Sequence, residues 1–257
     1  MAKKKKKNRA RKTQNKKKRR QSRKEGRSPK KLKTLRDKLQ EVYSQVDLET
    51  TCCRQCVCCS VACPQMNYAE ATQILDRIWS EWSREDKKEL LLTSIDYFFS
   101  NSMVKPCPLL GTMPDGKPGC RVYGDRPLNC RMYGQWPEDV YEKRVQGFEE
   151  ATGFDKSELP LNTQCPHVRR VSEEPLEEDT INTMFDQINE LDRQIGEFTE
   201  TQMEQRYNYR SIHDWVLAKF WGDEQLVFWT EIFHAMEKDE IEKQVEVLHQ
   251  VVEQMDL

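Results

Sequence analysis

The sequence has no apolar run long enough to span a membrane as a helix, and no apolar segment follows the N-terminal charges as it would in a signal peptide. It also lacks the P-loop, the Rossmann glycine pattern, the HExxH motif and the GxSxG nucleophile motif. No internal repeat is found. These absences predict a soluble, unsecreted, cytoplasmic chain, and they weaken the case for an enzyme while leaving it open.

Apolar residues are scarce, at 37% of the 257 residues, whereas charged residues reach 33%. Any core must therefore be compact. The net charge of −1 hides an uneven distribution. Residues 1–38 hold 21 of the 42 Lys and Arg residues but only two of the 43 Asp and Glu residues, so their formal charge is +19 and the remainder carries −20. The chain is thus a basic tail on an acidic body.

The basic tail, residues 1–31, contains two runs of positive charge, at 3–7 and 16–20, and almost no apolar side chain. Because like charges repel and little apolar surface is present to bury, we expect this tail to be disordered. It can neutralise phosphates of nucleic acid or lie on an anionic membrane surface. Without interleaved aromatic residues, sequence-specific readout is not expected. The prediction is non-specific nucleic-acid contact through residues 1–31, with a solubilising arm, or an arm that folds back on the acidic body, as the alternatives.

Six of the ten cysteines stand in one short run, and the other four are spread downstream. The run comprises Cys52, Cys53, Cys56, Cys58, Cys59 and Cys63, and the downstream group comprises Cys107, Cys120, Cys130 and Cys165. In a reducing compartment such a dense cluster favours a metal site over a disulfide framework. Adjacent cysteines are also poor disulfide partners, because bridging them strains the backbone. We therefore predict all ten as candidate metal ligands.

The spacing within the run distinguishes two kinds of metal centre. Cys53-x2-Cys56-x2-Cys59-x3-Cys63 followed by proline is the spacing of bacterial ferredoxin-type clusters. Zinc also uses a C-x2-C pair, but it needs only four ligands in a tetrahedron. Ten cysteines could supply one cluster plus a zinc, two metals, or one centre with spare thiols. The spacing favours an iron–sulfur cluster, with zinc as the alternative.

Three downstream segments, at 107–110, 119–123 and 126–133, contain Cys-Pro-Leu-Leu, Gly-Cys-Arg-Val-Tyr and Arg-Pro-Leu-Asn-Cys-Arg-Met-Tyr. They resemble the YkgJ-type cysteine-cluster family, described as a zinc- or iron-chelating domain with an upstream CxxCxxCC element. The resemblance covers roughly residues 50–170. Here the upstream element departs from the pattern: Gln55 occupies a cysteine position unless one residue is deleted. Flagellin lysine methylases are similar to this family and carry an iron–sulfur centre, so the resemblance also implies a methylase-like alternative.

Hydrophobic periodicity predicts helices over most of the remaining chain. We expect them at 32–46, after a capping box at 67–70, after Ser83, over 181–198, after a cap at 211–214, from Asp223 and over 241–252. The segment 104–137 is rich in Pro and Gly and predicts irregular backbone with a short strand near 120–123. The predicted fold is mainly α with an irregular cysteine-rich metal-binding region at 32–172, a C-terminal helical region at 173–257 and a disordered tail at 1–31.

Two groups of polar residues are candidates for a functional role. Arg121, Arg126 and Arg131 stand beside the downstream cysteines and could form an anion or substrate site. We favour the alternative that they hydrogen-bond thiolates and loop carbonyls, because anionic thiolates need such neighbours. The helical histidines at 213, 234 and 249 are expected to be surface or capping groups rather than ligands.

The sequence therefore favours a cytoplasmic metal-binding protein whose cysteines hold an iron–sulfur cluster or zinc. A purely structural metal that staples the turn-rich segment is the simplest role for the centre. The alternatives are a methylase-like protein-modifying enzyme that uses the centre, and a nucleic-acid- or ribosome-associated protein with a structural metal. No protein partner can be identified from the residues.

Overall fold

The computed structural model describes residues 29–46, 63–100, 106–132 except 114, 176–257 except 197 and 234, and a few single positions between 135 and 150. The basic tail up to residue 28 and the cysteine run up to residue 62 lie outside these ranges. The chain forms two compact units, residues 1–38 and 39–257. Within the described part, the first unit consists of the beginning of one helix, and all contacts discussed below lie in the second.

The described residues are mainly helical, which confirms the predicted mainly α class. The helices are α1 Pro29–Ser44, α2 Tyr68–Glu81, α3 Arg84–Phe98, α4 Leu128–Arg131, α5 Glu178–Ile195, α6 Glu200–Glu204, α7 Ile212–Trp221, α8 Asp223–Phe233 and α9 Lys238–Gln254. Four short strands are β1 Gln65–Asn67, β2 Leu110–Thr112, β3 Pro118–Cys120 and β4 Tyr209–Ser211. None of the described helices is both long and apolar enough to cross a bilayer.

Local capping explains where several helices begin. The Glu70 carboxylate accepts a hydrogen bond from the Asn67 backbone N–H at 3.1 Å, so the capping box predicted at the start of α2 is present. The Ser83 hydroxyl accepts from the Asp86 N–H at the start of α3. Reciprocal bonds between Ser211 and Asp214 begin α7. These caps satisfy backbone N–H groups that have no partner inside a helix.

One apolar core joins α2, α3 and α7, with α8 and α9 packed around them. Its fully or almost fully buried side chains include Ile74, Ile78, Leu91, Ile95, Val216 and Leu217. Ring contacts extend this core towards α8, where Phe99 meets Trp229 and Phe233 edge-on at centroid distances of 5.7 Å. Trp79 and Trp82 also pack against the core.

Two small antiparallel sheets accompany the helices, and Met66 of β1 belongs to the buried core. β1 pairs with β4, so that Met66 is opposite Arg210. β2 and β3 form a hairpin, so that Leu110 is opposite Cys120. The strand predicted near 120–123 lies earlier, at Pro118–Cys120, where it pairs with β2. A 3₁₀ turn, Tyr123–Asp125, follows instead and leads into α4.

Candidate metal centre

Four of the ten predicted ligands lie within the described residues: Cys63, Cys107, Cys120 and Cys130. The remaining six, Cys52, Cys53, Cys56, Cys58, Cys59 and Cys165, lie outside them. Among the described residues, no group of three or more His, Cys, Asp or Glu side chains is placed to hold a metal ion. The described cysteines alone therefore do not form a complete metal site.

Cys107 and Cys120 belong to one hairpin. Cys107 is buried in the turn before β2, and its carbonyl accepts a hydrogen bond from the Leu110 N–H at 3.0 Å. Cys120 ends β3 opposite Leu110, and the next residue, Arg121, donates its N–H to the Leu109 carbonyl at 2.9 Å. The backbone bonds of the hairpin thus determine where both cysteines lie.

Cys63 and Cys107 belong to the same part of the core. Cys107 is one of the buried residues of the apolar cluster, and Cys63 packs against that cluster. Burial raises the pKa of Tyr97, near the end of α3, and charge on Cys63, Cys107 and Asp96 raises that pKa further. Cys63 and Cys107 are 44 positions apart in sequence. The fold therefore packs the last cysteine of the run and the first cysteine of the downstream group against one core.

Cys130 lies on α4, which two side chains attach to the neighbourhood of β1. The Asn129 amide donates to the Gln65 carbonyl at 2.6 Å and to the Tyr209 hydroxyl. The Leu128 backbone N–H donates to the Glu70 carboxylate at 2.6 Å. Gln65 is two residues after Cys63, so the helix that carries Cys130 is attached to the strand that follows Cys63.

Glu70 is the centre of a buried polar network. Its Oε1 accepts from the Tyr43 hydroxyl at 2.9 Å and from the Leu128 N–H, and its Oε2 accepts from the Asn67 N–H. Burial raises the pKa of Glu70 to about 7, and these three hydrogen bonds oppose the rise. Tyr43, in the last turn of α1, is also buried, and its pKa is raised well above its usual value by burial and by the Glu70 charge.

A second buried carboxylate, Asp192 on α5, supports the other side of the same helix start. It accepts from the Ala69 backbone N–H at 2.6 Å and from the amides of Asn67 and Asn208 at 2.9 and 2.7 Å. Burial raises the pKa of Asp192, and these hydrogen bonds lower it in part. Asp192 therefore attaches α5 to the first turn of α2.

The arginines beside the cysteines are engaged within the fold. Arg131 is buried, donates to the carbonyls of Arg126 and Gly124 at 2.8 and 2.7 Å, and places its guanidinium 4.2 Å from the centre of the Tyr43 ring. Arg126 donates to the Tyr123 carbonyl at 3.1 Å. The predicted hydrogen bonds to loop carbonyls are thus present for both residues.

Arg121 makes a different set of contacts. Its guanidinium lies 3.6 Å from the centre of the Trp82 ring and pairs with Asp86 at 2.8 Å. These contacts attach the end of the hairpin to the start of α3. Asp125 of the 3₁₀ turn also contacts a helix. It accepts a hydrogen bond from Gln73 at 2.8 Å and pairs with Arg77, both of which lie on α2. The cysteine-bearing loop is therefore held to α2 and α3 by charged side chains.

No family model, no curated protein and no solved structure matches this chain. The resemblance of residues 107–133 to the YkgJ-type family therefore stays a prediction, and so do the metal and the activity that it implies. The arrangement of the cysteines is therefore inferred from the contacts among the described residues.

The histidine expectation is wrong for His213, which is buried on α7. Its Nδ1 lies 3.5 Å from the Ser94 hydroxyl, and its ring meets the Tyr97 ring edge-on at a centroid distance of 4.4 Å. The sequence carried a signal for this, because apolar residues occur on all sides of α7, as is typical of a buried helix. His249 lies 2.8 Å from Asp96 on α3, and His234 is outside the described residues.

Sequence reasoning also missed the network around Glu70. It identified Glu70 as a local cap of α2 but not as a partner of Tyr43 and Leu128, which are 27 and 58 positions away. A glutamate in a capping box is usually exposed, whereas the periodic apolar residues around this one place it on the buried side of α2. That position is the signal that could have indicated a second role.

Proposed function

We propose that the chain is a metal-binding protein whose cysteine cluster holds an iron–sulfur cluster. The observation that carries this proposal is that Cys107 is buried in the apolar core against which Cys63 also packs. Cys63 is the last cysteine of the run, and Cys107 is the first of the downstream group. A fold that packs these two ends against one core supports a centre shared between the two groups.

Chain length keeps part of the run near this point. Cys59 is four residues before Cys63. Because an extended chain covers at most about 3.6 Å per residue, the Cα of Cys59 lies within about 14 Å of that of Cys63. The four ligands of ferredoxin-type spacing would be Cys53, Cys56, Cys59 and Cys63, and the downstream cysteines would complete this centre or form a second one. An iron–sulfur cluster would supply a crosslink between the loops and the capacity to transfer one electron.

The residues around the described cysteines fit a centre that carries negative charge. Cys107 is buried, and Cys63 and Cys120 are partly buried against the apolar core. Such a setting limits access of solvent to a bound cluster and affects its potential. Arg121 and Arg131 directly follow Cys120 and Cys130 in the chain, so positive charge lies on the same segments as these two cysteines.

The experiment is metal analysis of the full chain after anaerobic purification, with Cys63→Ser as the test variant. We expect the wild-type chain to contain iron and acid-labile sulfide, and we expect Cys63→Ser to lose most of both. Ser80→Ala, an exposed serine on α2, is the control and should retain them. A wild-type chain without metal would contradict the proposal. A colourless chain with stoichiometric zinc would show that the cysteines bind zinc instead of an iron–sulfur cluster.

The uneven charge favours a second property, non-specific binding of nucleic acid through residues 1–31. The 21 basic residues within residues 1–38 are opposed there by only two acidic residues. Such a segment binds phosphates by releasing counterions, and its affinity therefore falls as the salt concentration rises. RNA binding by the full chain and by a chain lacking residues 1–31, compared across a salt series, tests this. Equal, salt-insensitive binding by both chains would contradict it.

A further inference from the structure

α4 is too short to determine its own position. It has four residues, and a helix of that length has too few internal hydrogen bonds to be stable alone. Its place in the fold must therefore come from other elements, through the fully buried Leu128 side chain and through hydrogen bonds. Because Cys130 is the third residue of α4, the same contacts determine where Cys130 lies.

Two side chains connect α4 to the segment that follows Cys63. On the buried side, Glu70 Oε1 accepts from the first N–H of α4, at Leu128, over 2.6 Å. On the half-exposed side, Asn129 donates from α4 to the Gln65 carbonyl over 2.6 Å and to the Tyr209 hydroxyl. The Leu128 hydrogen bond joins α4 to α2, and the Asn129 hydrogen bonds join α4 to β1 and β4.

We propose that Glu70 and Asn129 are positioning residues of the cysteine site, which hold α4, and with it Cys130, against the strand that follows Cys63. This inference rests on the proposed metal-binding function. Neither residue contributes a ligand: both act by setting the distance between a cysteine of the downstream group and the last cysteine of the run. Residues that orient metal ligands in this way typically change metal affinity by about 10- to 100-fold when they are replaced.

The charge environment of Glu70 explains why a carboxylate is suited to this position. Its two oxygens face three donors: the Tyr43 hydroxyl and the N–H groups of Leu128 and Asn67. A glutamine with its oxygen at the Oε1 position would keep the Tyr43 and Leu128 bonds and lose only the Asn67 bond, so Glu70→Ala, which removes every acceptor, is the variant that frees α4. Arg131, above the Tyr43 ring, supplies positive charge nearby, whereas Asp125 and Asp192 supply negative charge.

The test compares Glu70→Ala and Asn129→Ala with the wild-type full chain, all purified anaerobically. Two quantities are measured: the metal affinity, by competition with a chelator, and the alkylation rate of each cysteine, by mass spectrometry. Each variant should lower the metal affinity by about tenfold or more. Each should also raise the alkylation rate at Cys130 more than at Cys63, because only the former is carried by α4.

Asp192→Ala is the matched control, since Asp192 is a buried carboxylate at the same helix start that bonds Ala69 rather than α4. It should leave the relative alkylation of Cys130 and Cys63 unchanged and lower the metal affinity less than Glu70→Ala does. If Asp192→Ala reproduces both effects of Glu70→Ala, the role is merely structural and the inference is overturned.

The remaining outcomes separate this inference from the proposed function. A wild-type chain that binds no metal overturns the proposed function, and the inference with it. A wild-type chain that binds metal, with Glu70→Ala and Asn129→Ala unchanged in affinity and in alkylation pattern, overturns the positioning inference alone. If Glu70→Ala does not fold, Asn129→Ala decides, because Asn129 is only half-buried and its replacement preserves the core.

Discussion

The Glu70 carboxylate accepts a hydrogen bond from the backbone N–H of Leu128, which is 58 positions further along the chain, at 2.6 Å. This bond joins the first turn of α2 to the helix that carries Cys130. The same carboxylate caps α2 through Asn67 and accepts from Tyr43. One buried group thus connects three parts of the fold around the cysteines, and the predictions below begin with it.

Stability should fall as the pH rises through neutrality, owing in part to Glu70. Its pKa is raised from 4.5 to about 7, so the folded state holds this proton more tightly than the unfolded state. The stabilisation is present in full below about pH 4.5 and is lost as the pH rises through about 7, by at most about 3 kcal/mol. Urea unfolding between pH 5 and pH 8 measures it. The stability of Glu70→Gln should change less over this range, and an unchanged slope in that variant would count against the assignment.

Tyr43→Phe should lower the free energy of unfolding at pH 8 by about 1–2 kcal/mol, because it removes a buried donor from an ionised carboxylate. The ring itself, which lies under the Arg131 guanidinium, is retained. Urea denaturation gives the value. Tyr207→Phe is a suitable control, since the Tyr207 ring also lies near an arginine, Arg210, but is partly exposed. Equal effects of the two variants would argue against the Glu70 bond.

Arg131→Lys should destabilise the fold by about 1–3 kcal/mol, although it keeps the charge. A lysine cannot reproduce the planar set of donors that reaches the carbonyls of Arg126 and Gly124 together. Thermal or urea unfolding provides the comparison. Arg193→Lys, at an exposed arginine that pairs with Glu190 and Glu200, should change stability by less than about 0.5 kcal/mol. A neutral result for Arg131→Lys would mean that these carbonyls find other donors.

The titration of Tyr97 reports on the two cysteines beside it. In the metal-free chain, Cys63→Ser and Cys107→Ser should each lower the pKa of Tyr97, because each removes a nearby negative charge. That pKa should nevertheless stay above its usual value, since burial is the larger cause. Ultraviolet titration with Tyr97→Phe as the reference isolates the signal. Cys130→Ser should have no such effect, and a shift of equal size there would contradict the proposed neighbourhood.

Local features of the fold could be predicted from the sequence, whereas long-range ones could not. The caps at Asn67, Ser83 and Ser211 were predictable, because each satisfies backbone groups within three residues. The mainly α class follows from periodicity for the same reason. The shifted strand β3 was not predictable, because its position depends on its pairing with β2.

In the candidate site, too, local features could be predicted from the sequence and long-range contacts could not. The cysteines and their spacing can be read directly from the sequence, and so can the arginines beside them. The bonds from Glu70 to Leu128 and from Asn129 to Gln65 depend on how distant segments pack. The burial of His213 depends on α7 lying at the centre of the core. For Glu70 and His213, the apolar residues around them in the sequence were the signal that their side chains are buried.

The central claim, that the cysteines hold an iron–sulfur cluster, is tested most directly by iron and acid-labile sulfide analysis of the anaerobically purified full chain together with its visible spectrum. We predict iron and sulfide in comparable amounts and a broad absorption in the visible range that is bleached by a reductant. A colourless chain with neither iron nor acid-labile sulfide would contradict the claim.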